Sequence, residues 1–254
     1  MGRIKNIKIK ALKAVSKAFG AFPFFIQGRM DIDSKSLWFD PGFNKDFGGY
    51  YPEDKSVKRT LARLPNHDHV RQDMLHLLCK SVIDRNVPGA IAELGVFRGE
   101  TARLFHHYMP ERTIYLLDTF EGFDAKDVNV ELKSTGQKTT TTHFSNTSEQ
   151  LVLEAIGSNN QNIRLIKGFF PESVTEELSQ QTFAMVHLDA DLYQPTLEGL
   201  KFFFPRLNSG GLLIVHDYNA WFGARKAVEE YSAENSLIPI PMPDKSGSCV
   251  FLKS

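Results

Sequence analysis

Residues 90–101, with the sequence AIAELGVFRGET, predict a buried strand, a turn bordered by two glycines, and the start of a helix. The glycines are Gly95 and Gly99. At these positions they let the backbone approach a bound nucleotide and let the helix begin close to the strand. The segment therefore predicts an α/β fold with a nucleotide-binding loop after its first strand.

The spacing and charge of this loop favour one kind of nucleotide. Its glycines are spaced more widely than in the dinucleotide pattern G-x-G-x-x-G, and the carboxylate of Glu93 would repel a pyrophosphate. It would instead attract the ammonium group of a methionine-bearing nucleoside. Asp118 follows a second apolar run, 19 residues after Gly99, and suits hydrogen bonds from ribose hydroxyls; an aspartate that caps a turn is the alternative. The candidate nucleotide-binding residues are Glu93, Gly95, Gly99, Thr101 and Asp118.

The rest of the chain alternates between helical periodicity and short apolar runs. Predicted helices cover residues 66–86, 101–108, 149–156, 195–204 and 224–232, and predicted strands cover residues 90–94, 113–117, 163–166, 183–188, 211–215 and 248–252. Strands that alternate with helices predict a parallel sheet wound by right-handed crossovers. Residues 124–146 are polar and rich in Thr and Lys, and they predict a surface loop.

Residues 1–65 differ in character from the remainder. Before Asp31 the chain carries seven basic residues and no acidic one, interleaved with apolar positions. Such a segment could contact an anionic membrane surface, or it could pack on the domain or on a partner subunit of a homo-oligomer. An organelle transit peptide is the third option. Residues 28–51 are rich in Gly, Asp and aromatic residues without a regular period, which predicts an irregular arm, either a lid over substrate or a loop that covers the core.

The bulk composition excludes several classes of protein. Thirty basic and thirty acidic side chains cancel, so no overall field attracts nucleic acid. The two cysteines, Cys79 and Cys249, stand among apolar neighbours and predict buried thiols rather than a disulfide framework. No apolar run reaches the roughly 20 residues that a bilayer requires. We expect a cytoplasmic protein, with peripheral membrane contact through the basic segment as a further option.

Acidic residues follow two predicted strands. Asp189 and Asp191 come directly after the strand at residues 183–188, and His216 and Asp217 come after the strand at residues 211–215. The carboxyl ends of neighbouring parallel strands lie at one edge of a sheet, where ligands bind, so these side chains should converge. Several carboxylates in one place repel each other unless a cation lies between them. The pattern therefore predicts a divalent metal site.

These motifs together resemble those of the macrocin O-methyltransferase family, metal-dependent enzymes that methylate sugar hydroxyls of macrolides and related natural products. The match keeps the family's order of motifs and leaves residues 1–65 unmatched. The resembling motifs are VPG at 87–89, ELGVFRG at 93–99, DTFEG at 118–122, KGFF at 167–170, DADLY at 189–193, PRL at 205–207, GG at 210–211 and DY at 217–218.

The resemblance implies a class I methyltransferase fold, which is a Rossmann-like, doubly wound and mostly parallel sheet of seven strands. Residues 66–254 would form this S-adenosylmethionine-dependent domain, and residues 1–65 a helical or irregular lid. The implied activity is transfer of a methyl group to a hydroxyl of a small-molecule or glycan acceptor, as in a glycoside, polysaccharide or natural product. Glu93, Gly95 and Asp118 would hold the methyl donor.

The resemblance also assigns roles at the predicted metal site. Asp189 and Asp217 would bind the metal, and Asp191 would accept the proton of the acceptor hydroxyl; Asp191 as a further metal ligand is the alternative. The family commonly has two consecutive aspartates before the tyrosine, but the first position here is His216. His216 could be a metal ligand, a catalytic acid or base, or a structural residue at the strand end. Mg²⁺ is the expected metal, and an imidazole ligand makes Mn²⁺, Fe²⁺ or Zn²⁺ more plausible.

Two other functions are compatible with parts of the pattern. A binding or scaffold protein could retain the fold and have lost turnover through the change at His216. A nicotinamide-dependent oxidoreductase would share the strand, turn and helix of the loop. Four retained aspartates argue against the first, and Glu93 with its widely spaced glycines argues against the second. His187, inside its predicted strand, is expected to be structural.

Overall fold

The computed structural model describes residues 68–254, and the predictions for residues 1–65 lie outside this range. All elements except the start of the first helix belong to one compact unit, Met74–Ser254. Seven strands form one sheet in the order β3-β2-β1-β4-β5-β7-β6. They are β1 (Ala90–Leu94), β2 (Ile114–Asp118), β3 (Ile163–Lys167), β4 (Phe183–Leu188), β5 (Leu207–Val215), β6 (Ile240–Pro241) and β7 (Cys249–Leu252). Strands β1 to β5 pair in parallel, and β7 runs antiparallel to both β5 and β6.

Helices precede and connect the strands. They are α1 (His69–Asp84), α2 (Glu100–Tyr108), α3 (Ala125–Thr135), α4 (Glu149–Ile156), α5 (Glu176–Ser179), α6 (Tyr193–Phe203) and α7 (Phe222–Asn235), with a 3₁₀ turn at Phe204–Arg206. Every residue of β1 and β4 is buried, as expected for central strands of a sheet that is covered on both faces. None of the helices in the described range is long and apolar enough to cross a membrane.

The predicted Rossmann-like, mostly parallel sheet is confirmed, including its seven strands. The predicted helix at residues 149–156 coincides with α4, and the predicted strands at residues 90–94 and 183–188 coincide with β1 and β4. The remaining predicted helices and strands differ from the observed ones by a few residues at their ends. Strand β6 has only two residues, too few to give a period-two pattern. Both cysteines are buried free thiols, as predicted, and burial raises the pKa of Cys249 to about 12.

The prediction of a surface loop at residues 124–146 is wrong in part. Residues 124–147, which we call the insertion, contain α3, and Glu131 on this helix is fully buried. Asp124 begins the helix by accepting a hydrogen bond from the backbone N–H of Lys126, and Gly136 ends it in a left-handed conformation. The many polar residues concealed the helix, because its buried face consists of acidic rather than apolar side chains.

Candidate active site

The strand register brings the predicted site residues to one edge of the sheet. Leu94 pairs with Leu188, and Leu188 pairs with Val215, so β1, β4 and β5 end side by side. The backbone N–H of Asp189 donates to Leu94 (2.8 Å), and the N–H of His216 donates to Leu188 (2.8 Å). The first residue after β4 and the first residue after β5 are therefore each held by a backbone hydrogen bond to the last residue of the neighbouring strand.

Asp189, His216 and Asp217 form one polar cluster at this edge. Nδ1 of His216 lies 2.7 Å from Oδ1 of Asp189 and 2.9 Å from Oδ2 of Asp217. One ligand atom from each residue lies within 4.8 Å of the others. The imidazole thus stands between the two carboxylates, which is where a cation would reduce their repulsion. The convergence predicted from the sequence is present.

Asp217 also interacts with Asp191. Burial by itself would raise the pKa of Asp217, but its contacts with His216 and Asp191 outweigh that effect and lower the pKa below its ordinary value. Asp191 and Asp217 both have left-handed backbone conformations, with φ near 59° and 58°. Such conformations are uncommon for residues other than glycine and are concentrated at functional sites.

A fourth carboxylate lies on the other side of the imidazole. Nε2 of His216 is 4.0 Å from Oδ2 of Asp244. Asp244 is itself fixed by the backbone N–H of Ser248 (2.7 Å) and by its hydroxyl (2.8 Å). Metal-binding histidines commonly have a carboxylate near their second nitrogen, which orients the ring. Asp244 was not among the predicted site residues, because no motif connects it with the strand end at His216.

The glycine loop packs directly against this cluster. Gly95 has a φ of 85°, and a Cβ at this position would overlap the backbone carbonyl of Asp189. Only glycine fits here for both reasons. Gly99 precedes α2 with a φ of 76°, and a Cβ there would lie 3.0 Å from Val152 on α4. Gly99 thus permits close packing of helices, and Thr101 is the second residue of α2.

Asp118 at the end of β2 organises the same loop. Its Oδ2 accepts hydrogen bonds from the backbone N–H groups of Val96 (2.8 Å) and Phe97 (2.9 Å). Its Oδ1 accepts one from Phe120 (2.7 Å). Because a carboxylate has about four acceptor positions, these contacts leave little capacity for ribose hydroxyls while they persist. The ribose role of Asp118 stays a prediction, and the structure adds that Asp118 holds the loop in place.

Glu93 and His187 form a buried pair below the loop. Oε1 of Glu93 lies 3.0 Å from Nδ1 of His187, and the side chains are 2% and 0% exposed. The two residues are directly paired between β1 and β4. With Asp189 they form a second group of potential ligand atoms. The structural role of His187 stays a prediction, and its partner is the residue predicted to bind the donor's ammonium group.

Aromatic side chains form a wall beside these polar groups. The aromatic cluster comprises Phe97, Phe123, His143, Phe144 and Trp221, which come from the glycine loop, the turn after β2, the insertion and the start of α7. Ring centroids of Phe97 and Phe144 are 5.3 Å apart, and those of Phe123 and Trp221 are 5.9 Å apart. The backbone N–H of Trp221 donates to the backbone carbonyl of Asp217 (2.9 Å). The cluster therefore extends from the glycine loop to the loop after β5.

Comparison with known proteins assigns this chain to a family. The sequence profile of the macrocin-O-methyltransferase (TylF) family matches residues 67–254. The chain belongs to this family. Its members use S-adenosylmethionine, so the chain is an S-adenosylmethionine-dependent O-methyltransferase. This assignment disfavours the nicotinamide oxidoreductase and the non-catalytic scaffold.

Individual relatives of this chain are themselves named as O-methyltransferases. Demethyldecarbamoylnovobiocin O-methyltransferase of Streptomyces niveus is 29% identical over 187 residues, which cover 69% of this chain and 68% of that protein. An 8-demethyl-8-(2,3-dimethoxy-alpha-L-rhamnosyl)-tetracenomycin-C 4'-O-methyltransferase of Streptomyces olivaceus is 29% identical over 213 residues, 77% of this chain and 76% of that protein. The solved structure of the calicheamicin methyltransferase CalS11 has the same fold, with a TM-score of 0.63, 22% identity, and coverage of 78% of this chain and 90% of that chain.

The methyltransferase's acidic cluster has a donor set suited to a divalent metal. If two ligand atoms each lie about 2.1 Å from one ion and the ligand–ion–ligand angle is about 90°, the two atoms are about 3 Å apart. The separations of 2.7 and 2.9 Å between His216 Nδ1 and the two carboxylates are close to this value. Imidazole with two carboxylates suits Mn²⁺, Fe²⁺ or Zn²⁺ as well as Mg²⁺. Asp189, His216 and Asp217 therefore fit such an ion.

Proposed function

We propose that this chain is a metal-dependent O-methyltransferase that transfers a methyl group from S-adenosylmethionine to a sugar hydroxyl of a glycoside, polysaccharide or natural product. The observation that carries the proposal is the convergence of Asp189, His216 and Asp217 beside Gly95 of the donor loop. Two relatives named for a tetracenomycin rhamnosyl 4'-O-methylation and for mycinamicin III 3''-O-methylation support the choice of a sugar hydroxyl.

In this proposal Asp189, His216 and Asp217 hold the metal. When bound, the ion would lower the pKa of the acceptor hydroxyl and orient it. Asp191 interacts with Asp217 and therefore stands beside the same position. It would accept the hydroxyl proton during in-line methyl transfer, so that the oxygen lone pair forms the new bond as the bond from methyl to sulfur breaks. Asp191 as a further ligand remains the competing assignment.

The donor and the acceptor would meet between the glycine loop and the aromatic cluster. Glu93 and the backbone near Gly95 would position the methionine and ribose portions of the donor, with Asp118 fixing the loop. Phe123 and Trp221 are partly exposed, and their rings offer an apolar surface to the C–H face of a sugar or to its aglycone. Holding both reactants in this position would supply much of the rate acceleration.

The first experiment is calorimetric titration of S-adenosylhomocysteine into the full chain, with and without Mg²⁺ or Mn²⁺. Binding is expected in both conditions, and no binding in either would remove the enzyme assignment. A mass-spectrometric screen of sugar nucleotides, glycolipids and macrolide glycosides for methyl gain then tests the acceptor class. Methylation only of non-sugar hydroxyls would overturn the sugar assignment.

One pair of variants and one single variant sharpen the test. Trp221→Leu should raise KM for the acceptor, whereas Phe222→Leu at the adjacent exposed position should not. His216→Asp restores the two consecutive aspartates common in the family and should shift the preferred metal toward Mg²⁺. Unchanged metal preference in His216→Asp would show that His216 is not a ligand.

A further inference from the structure

The helices that follow the two metal-site loops share an unusual feature. Helix α6 begins directly after Asp191, with Leu192 at its N-cap, and α7 begins after the Asp217 loop, with Trp221 at its N-cap. Neither N-cap side chain makes a capping hydrogen bond. The first backbone N–H groups of a helix need acceptors, and an apolar N-cap residue cannot provide one. Both helices must therefore find their acceptors elsewhere.

For α6 the acceptor comes from Glu131 of the insertion. Oε2 of Glu131 accepts a hydrogen bond from the backbone N–H of Tyr193 (2.8 Å), the first residue of α6. Oε1 accepts one from the hydroxyl of Thr135 (2.9 Å). The Glu131 side chain is 0% exposed. A buried carboxylate is costly unless it is hydrogen-bonded, and the positive end of a helix dipole is favourable for it.

For α7 the insertion provides a second acceptor. Oε1 of Gln137 accepts a hydrogen bond from the backbone N–H of Phe222 (3.2 Å), the first residue of α7. The next residue, Gly223, packs against the Glu131 carboxylate so closely that a Cβ would overlap it. The same Cβ would also overlap the N–H of Tyr193. The beginnings of α6 and α7 thus meet at Glu131.

We propose that Glu131 and Gln137 are positioning residues that connect the insertion to both metal-site loops. The inference rests on the proposed function, because it assigns a role in placing Asp191 and Asp217. Those two residues have left-handed conformations, which the surrounding contacts must hold. The two acceptors of the insertion complete the N-termini of α6 and α7. The insertion also carries His143 and Phe144, whose rings contact Phe123 in the aromatic cluster.

Hydrogen–deuterium exchange of the full chain tests the connection without an acceptor substrate. Glu131→Leu should increase exchange in peptides that cover residues 189–196 and 217–224, while peptides from β1 to β3 stay protected. Glu131→Gln retains an oxygen for Tyr193 and should stay close to the wild type. Glu154→Leu, at an exposed position on α4, is the matched control. Unchanged exchange at residues 189–196 in Glu131→Leu would overturn the proposal, and so would equally increased exchange throughout the chain.

Kinetics with an identified acceptor give a second readout. In Glu131→Leu, kcat should fall by about a hundredfold, because small displacements of reacting groups have effects of that size. The Kd for S-adenosylhomocysteine should remain within about threefold, since the donor loop belongs to other elements. If Glu131→Leu does not fold, Gln137→Ala should still increase exchange at residues 217–224, and no increase there would refute the connection. Failure of the wild type to transfer methyl groups would refute the proposed function alone, since the exchange result does not require transfer.

Discussion

Replacement of Asp127 by asparagine should stabilise the protein, and increasingly so as the pH rises. Asp127 lies on α3 and is 7% exposed. Within the described part of the chain, its buried Oδ1 has no hydrogen-bond partner. Burial, with smaller contributions from Asp124 and Glu131, raises the pKa of Asp127 from its ordinary value of 3.8 to about 7, although Lys126 acts in the opposite direction. An amide of the same shape avoids the buried charge.

The sign and the size of the expected change in the free energy of unfolding follow from the pKa of Asp127. Below pH 3.8 the carboxyl is protonated in both the folded and the unfolded chain. Between about pH 4 and pH 7 the unfolded chain loses the proton and the folded chain keeps it, so the wild type loses stability as the pH rises. A difference of about three pKa units corresponds to an upper bound of about 4 kcal/mol, reached above pH 7. Asp127→Asn removes this dependence.

Urea denaturation of both proteins at pH 5, 6, 7 and 8 measures the effect. The difference in free energy of unfolding should grow across this range and then level off above about pH 7. Asp84→Asn, at an exposed position on α1, controls for loss of a carboxylate. A difference that is independent of pH, or a less stable Asp127→Asn protein at pH 8, would refute the reasoning.

Two further predictions concern the active site. Asp191→Asn should retain binding of S-adenosylhomocysteine, measured by calorimetry. Its rate of methyl transfer in a single-turnover assay should fall by about a hundredfold or more, and full activity would contradict the role of Asp191 as base. Gly95→Ala should weaken donor binding and lower Tm, because the new Cβ would overlap the Asp189 carbonyl and the φ of residue 95 is 85°. Calorimetry measures the donor binding, and thermal denaturation measures the Tm. Gly136→Ala, at a residue with a similar φ but open space around it, is the control for backbone strain.

The sequence predicted most of the parallel sheet because its buried strands are short apolar runs bounded by turns. The predicted site residues also converged, since residues directly after neighbouring parallel strands must lie at one edge. Asp189 and Asp217 are examples, and their hydrogen-bonded contacts with His216 follow from the register of β4 and β5. These inferences needed only strand order and chain direction.

Contacts that depend on tertiary packing were not predictable in the same way. Nothing in the local sequence near Glu131 indicates that it accepts a hydrogen bond from Tyr193, 62 residues away. Asp244 approaches His216 from the segment between β6 and β7, which has no recognisable motif. The helix α3 was missed because the buried side of an amphipathic helix is usually recognised by apolar residues, and here it includes Asp127 and Glu131.

The most direct test of the proposed metal-dependent mechanism is a calorimetric titration of Mn²⁺ into chelator-treated protein in the presence of S-adenosylhomocysteine. The wild type should bind one ion per chain, and Asp217→Ala should lose most of this affinity because a ligand of the cluster is gone. Glu229→Ala, at an exposed position on α7, should bind like the wild type. No Mn²⁺ binding by the wild type, or equal affinity in Asp217→Ala, would contradict the metal site on which the mechanism depends.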